Sequence, residues 1–252
     1  MGGTALLVRE LIKGGLLHED VETVIGRGLY RYTQEPILEN GKLIYRDGPT
    51  ESRNKNVIAS IEKPFNTQGG LKVMSGNIGR AIMKVSAVDE QHQIIVAPAV
   101  VFNDQHELEQ RVKSGELNKN FVAVVRFQGP KAIGMPELYK LITPLGILQD
   151  RGFHVALLTD GRLSGASGKV PSVIHVTPEA YNGGILSKIN DGDIIMINGK
   201  TGEMNVQLDE ETLQKRQSLT INLNEHRQGF GRELFNTIRK NITSAEEGAD
   251  SF

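Results

Sequence analysis

The chain has no cysteine and no tryptophan. The first absence excludes internal disulfides, a thiolate nucleophile and any zinc or iron–sulfur centre ligated by cysteines of this chain alone. The second argues against an aromatic stacking platform for single-stranded nucleic acid. An excess of one charge sign is also missing. With 29 Lys and Arg against 30 Asp and Glu, the net charge is −1, so no overall field draws the protein to nucleic acid or to a membrane surface. No apolar run approaches the roughly 18 residues of a membrane-spanning helix, and the amino terminus lacks the charged-then-apolar pattern of a secretory signal, which predicts a cytoplasmic protein. Repeats and low-complexity segments are absent as well.

What remains is a chain of 252 residues, 38% hydrophobic and 23% charged, long enough for one large domain or two modest ones with real cores. Residues 4–12 read as a short apolar helix closed by Gly14-Gly15, with a second short helix expected from His18 or Glu19 to Val24. His18 reads as a capping or core histidine. A terminus this apolar has the character of a polypeptide opened in the middle of a larger core. Residues 30–56 are polar, hold Pro36 and Pro49 and show little sustained period, so an interdomain connection is placed there. The expected division is 1–56, the end of a preceding domain and its linker, and 57–252, a β-rich α/β domain.

From Val57 onward short strands alternate with turn signals. Strands are expected at 71–74 and 93–97, and an amphipathic helix at 104–114 ends at Gly115. Residues 121–125, Phe-Val-Ala-Val-Val, read as a strand buried on both faces. After the loop Gln128-Gly-Pro-Lys, Pro136 suits a first helical turn, and Leu138, Leu141, Ile142, Leu145 and Leu148 mark one helix face. That places Glu137 at a helix start. It serves there either as a carboxylate favoured by the helix dipole or as a hard oxygen ligand for Mg²⁺. Strand, helix, strand from 121 to 158 predicts a right-handed crossover with the two following loops on one edge. His175 reads as a core histidine, residues 194–208 as a hairpin, 209–216 as a short charged helix, and 227–235 as the opening of a terminal helix.

The loop with the most chemistry is 159–169, Thr-Asp-Gly-Arg-Leu-Ser-Gly-Ala-Ser-Gly-Lys. It follows an apolar strand, so its polar groups emerge at a strand's carboxyl end, where ligand crevices lie in α/β sheets. Three glycines allow backbone N–H groups to converge on an anion. Arg162 and Lys169 add positive charge, and Ser164, Ser167 and Thr159 add hydroxyls. A serine acts as base or nucleophile only where its alkoxide is stabilised, which such donors can do. Asp160 can orient a donor or a metal-bound water. A tight strand-to-helix turn with capping hydroxyls is the alternative on composition alone.

Taken together, the motifs Gly69-Gly-Leu-Lys, Gly76-Asn-Ile-Gly-Arg-Ala-Ile-Met-Lys-Val-Ser-Ala-Val, Gln128-Gly-Pro-Lys, Gly134-Met-Pro-Glu-Leu and Leu158-Thr-Asp-Gly-Arg-Leu-Ser-Gly-Ala-Ser-Gly-Lys resemble the dihydroxy-acid and sugar-acid dehydratase family. The tail, with His175-Val-Thr-Pro-Glu-Ala, the run from Gly183 to Asp193 and Gly229-Phe-Gly-Arg-Glu-Leu-Phe, resembles its branch acting on 6-phosphogluconate. The resemblance covers essentially the whole chain but only the carboxyl-terminal part of the family's architecture. It implies a swivelling β/β/α domain, a barrel-like mixed sheet with flanking helices, preceded by a helical remnant of an amino-terminal domain whose cysteines hold an iron–sulfur cluster. The absence of cysteine from this chain is then expected, and the isolated chain is expected to be inactive. By motif, Ser164 is the expected base for the C2 proton and Glu137 a ligand of Mg²⁺, while the cluster acts on the departing C3 hydroxyl. Arg162, Ser167, Lys169 and Lys131 are charge- and hydroxyl-based candidates for substrate contact. Ile133 departs from the small or polar residue expected there and would narrow the loop. Expected partners are 6-phosphogluconate, the protein's own amino-terminal domain and a second copy in a homodimer.

Overall fold

Side chains that alternate in and out along one strand, and others that are apolar at every position, belong to a single closed sheet. The computed structural model describes residues 2–164, 168–229 and 231–251. They fall into two compact units, Met1–Gln68 and Gly69–Phe252.

In the first unit α1 (Gly3–Lys13) buries Ala5 and Leu6. Glu10 accepts from the N–H of Ile61 at 2.7 Å, and Arg9 donates to the carbonyl of Thr33 at 3.2 Å. The second helix expected near residue 20 is instead a minimal hairpin of β1 (Glu22–Thr23) and β2 (Gly26–Arg27). Its β-branched Val21, Thr23, Val24 and Ile25 lose side-chain freedom in a helix, which favours the extended form. Residues 30–56, expected to be an irregular connection, contain a 3₁₀ turn (Tyr30–Thr33) and a six-pair antiparallel hairpin of β3 (Gln34–Glu39) and β4 (Lys42–Asp47). Its turn is Asn40-Gly41, both at positive φ (49° and 75°), the pair that a tight hairpin demands.

The second unit is an eight-stranded closed barrel. Its strands are β5 (Leu71–Gly76), β6 (Gly79–Lys84), β7 (Ile94–Phe102), β8 (Phe121–Val125), β9 (Val155–Thr159), β10 (Ser172–Thr177), β11 (Ile194–Asn198) and β12 (Glu203–Val206). Around the barrel the order is β10-β6-β5-β12-β11-β7-β8-β9, returning to β10. Strands β7, β8, β9 and β10 run parallel, joined by α2 (Gln105–Lys113) and by α3 (Pro130–Ile133) followed by α4 (Ile142–Asp150). Short helices α5 (Glu210–Lys215), α6 (Asn224–Arg227) and α7 (Asn236–Asn241) follow the last strand. The terminal helix begins at Asn236, beyond the segment 227–235 where it was expected to open.

The period-2 pleat sorts the apolar residues into two cores. Val122 and Val124 of β8 and Ala156 and Leu158 of β9 face the barrel interior with Met74, Met83, Ile95, Ile197 and Met204. Phe121, Ala123 and Val125, with Val155 and Leu157, face outward onto Leu108 of α2 and onto Leu141, Leu145 and Leu148 near α4. Strands covered on both faces must be apolar throughout, which is why 121–125 reads as an unbroken run. Burying each such side chain contributes about 1.5–3 kcal/mol. Pro144 falls in the first turn of α4, where a missing N–H costs nothing.

The barrel closes where β5 meets β12, through one parallel pair, Glu203 opposite Ser75. Asn77 reinforces that seam with its side-chain amide: Nδ2 donates to the carbonyl of Val206 at 2.8 Å and Oδ1 accepts from its N–H at 2.9 Å. Backbone approach is closest at Gly76, where an added Cβ would stand 1.9 Å from the carbonyl oxygen of Met204. Gly76→Ala is therefore expected to cost about 1–3 kcal/mol or more in urea unfolding. Gly69→Ala, with nothing within 4 Å of the new methyl, should change stability by about 0.5 kcal/mol at most. Equal midpoints for the two variants would contradict this account of the seam.

Candidate active site at the carboxyl ends of two parallel strands

Because β8 and β9 are adjacent and parallel, the loops that follow them, 126–137 and 160–170, leave from the same edge of the barrel. Asp160, the first residue after β9, has no exposed surface. Its carboxylate accepts three backbone N–H bonds: from Gln128 at 2.9 Å, from Phe127 at 3.2 Å and from Ala180 at 2.9 Å. One side chain thus joins the β8 loop, the β9 loop and the turn after β10. Burial pushes its pKa up to about 6, and those three N–H donors oppose the shift.

Glu179 does the same work one step further out. It accepts from the N–H groups of Lys131 at 3.0 Å and Ala132 at 3.3 Å, occupying the start of α3. Gly129 is required there, because a Cβ would lie 2.0 Å from Oε2 of Glu179. Burial raises the Glu179 carboxyl to about 6 as well, the Lys131 N–H opposing the shift and the Asp160 charge adding to it. The sequence offered only one hint of this, an acidic residue after Pro178 in an otherwise apolar run.

Glu137 and Arg162 meet across the edge. They form an isolated parallel bridge, and the Arg162 guanidinium donates to Oε2 of Glu137 at 2.9 Å and to the carbonyl of Met135 at 2.8 Å. The second oxygen of Glu137 accepts from the backbone N–H of Ser164 at 2.7 Å. The helix expected to start beside Glu137 starts only at Ile142, after a 3₁₀ turn (Tyr139–Leu141). An interaction with the helix dipole therefore does not explain this carboxylate; its contacts with the other loop do. Ser164 is exposed, and among the described residues its Oγ has no carboxylate or imidazole partner.

Backbone strain gathers at the same place. Of five non-glycine residues at positive φ among the described residues, Phe127 (64°), Met135 (52°) and His175 (58°) surround the edge. Such conformations cost about 1–3 kcal/mol each and persist only where neighbours fix them. Each is fixed by the 160–162 segment: Phe127 by Asp160, Met135 by Arg162, and His175 through its N–H to the carbonyl of Gly161 at 2.9 Å. His175 is therefore a half-buried residue at an irregularity of β10, not the core histidine expected. Burial first, and then the Arg162 charge, lower its pKa.

The other candidates divide. Lys169 pairs with Asp150 at the end of α4. Lys131, on α3, lines a separate cavity with residues of the carboxyl-terminal segment. Ser167 lies outside the described residues. Ile133 packs against the barrel core.

The described residues do not by themselves fit either metal group. No cysteine is present, and no three His, Cys, Asp or Glu side chains come together, whereas Mg²⁺ takes about six oxygens. Glu137 is a single carboxylate already engaged by Arg162 and Ser164.

Linkage gives the buried carboxyls a measurable signature. Groups whose folded pKa is raised bind more protons in the native state, so their contribution to stability is full below about 4 and is lost as pH rises through about 6. From these two carboxyls, lowering the pH from 7 to 5 should stabilise the barrel unit by on the order of 1–2 kcal/mol in urea titrations, opposed over the same window by His175, whose lowered pKa makes the native state bind fewer protons. Asp160→Asn should lose about 1–3 kcal/mol at pH 7, because an amide cannot accept all three N–H bonds, and should flatten that slope. A slope unchanged in the variant would remove Asp160 from this role.

Residues 56–249 match the family model described as dihydroxy-acid/6-phosphogluconate dehydratase C-terminal. The chain is 58% identical over 248 residues to a phosphogluconate dehydratase of Escherichia coli, covering 98% of this chain, and 54% identical over 251 residues to one of Pseudomonas aeruginosa, covering all of it. It is 37% identical over 219 residues, 85% of its length, to a dihydroxy-acid dehydratase of Caldanaerobacter subterraneus, of which it covers 36%. The chain spans 41% of the length of the two phosphogluconate dehydratases. With its family motifs set on adjoining strand ends and matched over most of its length, the chain belongs to the dihydroxy-acid/6-phosphogluconate dehydratase family, in its C-terminal region.

Proposed function

We propose that this chain supplies the carboxyl-terminal part of a hydro-lyase that converts 6-phospho-D-gluconate to 2-dehydro-3-deoxy-6-phospho-D-gluconate. The observation that carries the reading is the junction of the two loops, where Glu137 accepts from both Arg162 and the backbone of Ser164. The carboxylate and the serine singled out by the family motifs are thereby held within one hydrogen-bonded relay. Names of relatives at 58% and 54% identity support the phosphorylated sugar acid as substrate.

In the reaction the C2–H bond breaks and its electron pair forms the C2–C3 double bond as the C3 hydroxyl leaves, taking up a proton as water. The resulting enol gains a proton at C3 and loses its hydroxyl proton to give the 2-keto acid. Ser164 Oγ is the acceptor of the C2 proton in this proposal, and Glu137 and Arg162 set the course of the loop that carries it. A serine hydroxyl is a weak base near pH 7 and needs activation. The positive charge of Arg162 is already committed to Glu137, and no described side chain accepts from Ser164 Oγ. On this reading the chain works only with the amino-terminal domain, which brings activating groups and most ligands for a cluster or Mg²⁺. Glu137 lends at most one carboxylate to them. The first unit supports such a partner, since Leu7, Leu16, Val24 and Phe65 are all exposed in it.

The test combines this chain, anaerobically with iron, sulfide and Mg²⁺, with a cysteine-bearing amino-terminal half, and measures keto-acid formation. Turnover is expected only with both halves and is expected to favour 6-phosphogluconate over gluconate. Ser164→Ala should lower it by about 10²-fold or more while leaving urea unfolding unchanged. Near-normal turnover in that variant would remove Ser164 as the base.

A further inference from the structure

The two cations first drawn to attention by the sequence, Arg162 and Lys169, are both neutralised by carboxylates, Glu137 and Asp150. Four others form no close ion pair among the described residues. Lys131, Arg227, Arg239 and Lys240 line one cavity of about 250 Å³ with Tyr181 and Asn236. Converging like charges repel, and such an arrangement is stable chiefly where an anion compensates them.

The cavity is built rather than accidental. The Arg227 guanidinium lies 5.1 Å over the ring of Tyr181, which fixes its plane. One terminal nitrogen of Arg239 donates to the carbonyl of Arg232 and to Oδ1 of Asn236, both at 2.6 Å. Its Nε is buried with no acceptor in the protein, a donor that is costly to leave unmatched. The neighbouring carboxylates feel these cations at a distance, Glu233 that of Arg239 and Glu247 and Glu179 that of Lys131, but spend their hydrogen bonds elsewhere: Glu233 on the N–H of Gly229, Glu247 on Ser244, and Glu179 on the backbone of α3. The cavity is also tied to the active-site edge. Lys131 sits on α3, six residues before Glu137, and Tyr181 follows the Glu179–Ala180 pair that anchors α3 and Asp160.

We infer that this cavity holds the phosphate end of the substrate. Its chemistry, two guanidinium groups and two ammonium groups with a tyrosine, suits a phosphate monoester dianion. Its size is below the roughly 300–1,000 Å³ of pockets that enclose a whole ligand, so it takes one end group rather than the whole substrate. The identity of the complete ligand rests on the function proposed above; the phosphate specificity rests on the cavity itself.

The test titrates this chain calorimetrically with inorganic phosphate, 6-phosphogluconate and gluconate, for the wild type, Arg239→Gln and Lys240→Gln. Lys240 makes no contact on which the fold depends, so its variant stands in if Arg239→Gln unsettles the tail. Phosphate and 6-phosphogluconate should bind, with gluconate at least tenfold weaker. Each substitution should weaken the two phosphate ligands by roughly tenfold and leave gluconate unchanged, while Ser164→Ala leaves phosphate binding intact. In the complete enzyme Lys240→Gln should raise KM for 6-phosphogluconate with kcat nearly constant. Phosphate ligands that bind no better than gluconate, or that bind both variants as they bind wild type, would overturn the inference. If the complete enzyme turns over 6-phosphogluconate with KM unmoved by Lys240→Gln, the pocket assignment falls and the proposed function stands. If the pocket variants lose phosphate but the complete enzyme does not dehydrate 6-phosphogluconate, the function falls and the phosphate site stands.

Discussion

Everything at the working edge of this protein depends on one buried carboxylate. Asp160 has no exposed surface, yet it receives N–H groups from three separate segments. A serine, a glutamate and an arginine on two loops could not hold a common geometry if those loops moved independently. Asp160 removes that freedom at the root of each loop and leaves their outer parts to the bonds between Glu137, Arg162 and Ser164. The arrangement is costly, since a buried charge needs full hydrogen bonding. Strained backbone at Phe127, Met135 and His175 adds to that cost, and the helices packed on β8 and β9 supply the burial that offsets it.

Charge is divided between two tasks. Arg162 and Lys169, paired with Glu137 and Asp150, tie loops to each other and to α4. Lys131, Arg227, Arg239 and Lys240 form no ion pair within 4 Å among the described residues and line a common space. Cations that complete a structural pair have little field left for a ligand, whereas unpaired ones in a partly enclosed cavity keep theirs. On the proposed reading, Arg162 and Lys169 serve position and the cations of the tail serve attraction.

Much of this was legible in the sequence, for identifiable reasons. The strand at 121–125 and the helix at 142–150 announce themselves because burial on both faces, or along one stripe, leaves a periodic record. Glu137 and Ser164 were singled out by ordered motifs, and the parallel crossover predicted that their loops would share an edge. The helix start at Glu137 was misplaced because Pro136 fits an extended bridge as well as a first helical turn; the bond to Arg162, 25 residues away, decided between them. The hairpin at 34–47 was overlooked although Asn40-Gly41 is its ordinary turn signal, because two prolines and a polar composition drew the reading toward a linker. His175 could not be placed, since nothing local reveals a left-handed residue held by the carbonyl of Gly161. The cationic cavity was out of reach for the same reason, as its members come from positions 131, 181, 227, 236, 239 and 240.

The barrel seam has a further consequence. A sheet that fails to close presents two free edges, and free edges recruit strands from other molecules. Here β5 and β12 share a single registered pair, with Leu71 and Val73 exposed on β5. Asn77 completes the closure by imitating a strand with its side chain, both accepting from and donating to Val206. In that position it acts less as a turn residue than as a guard on the edge, keeping an otherwise adhesive strand satisfied within its own molecule.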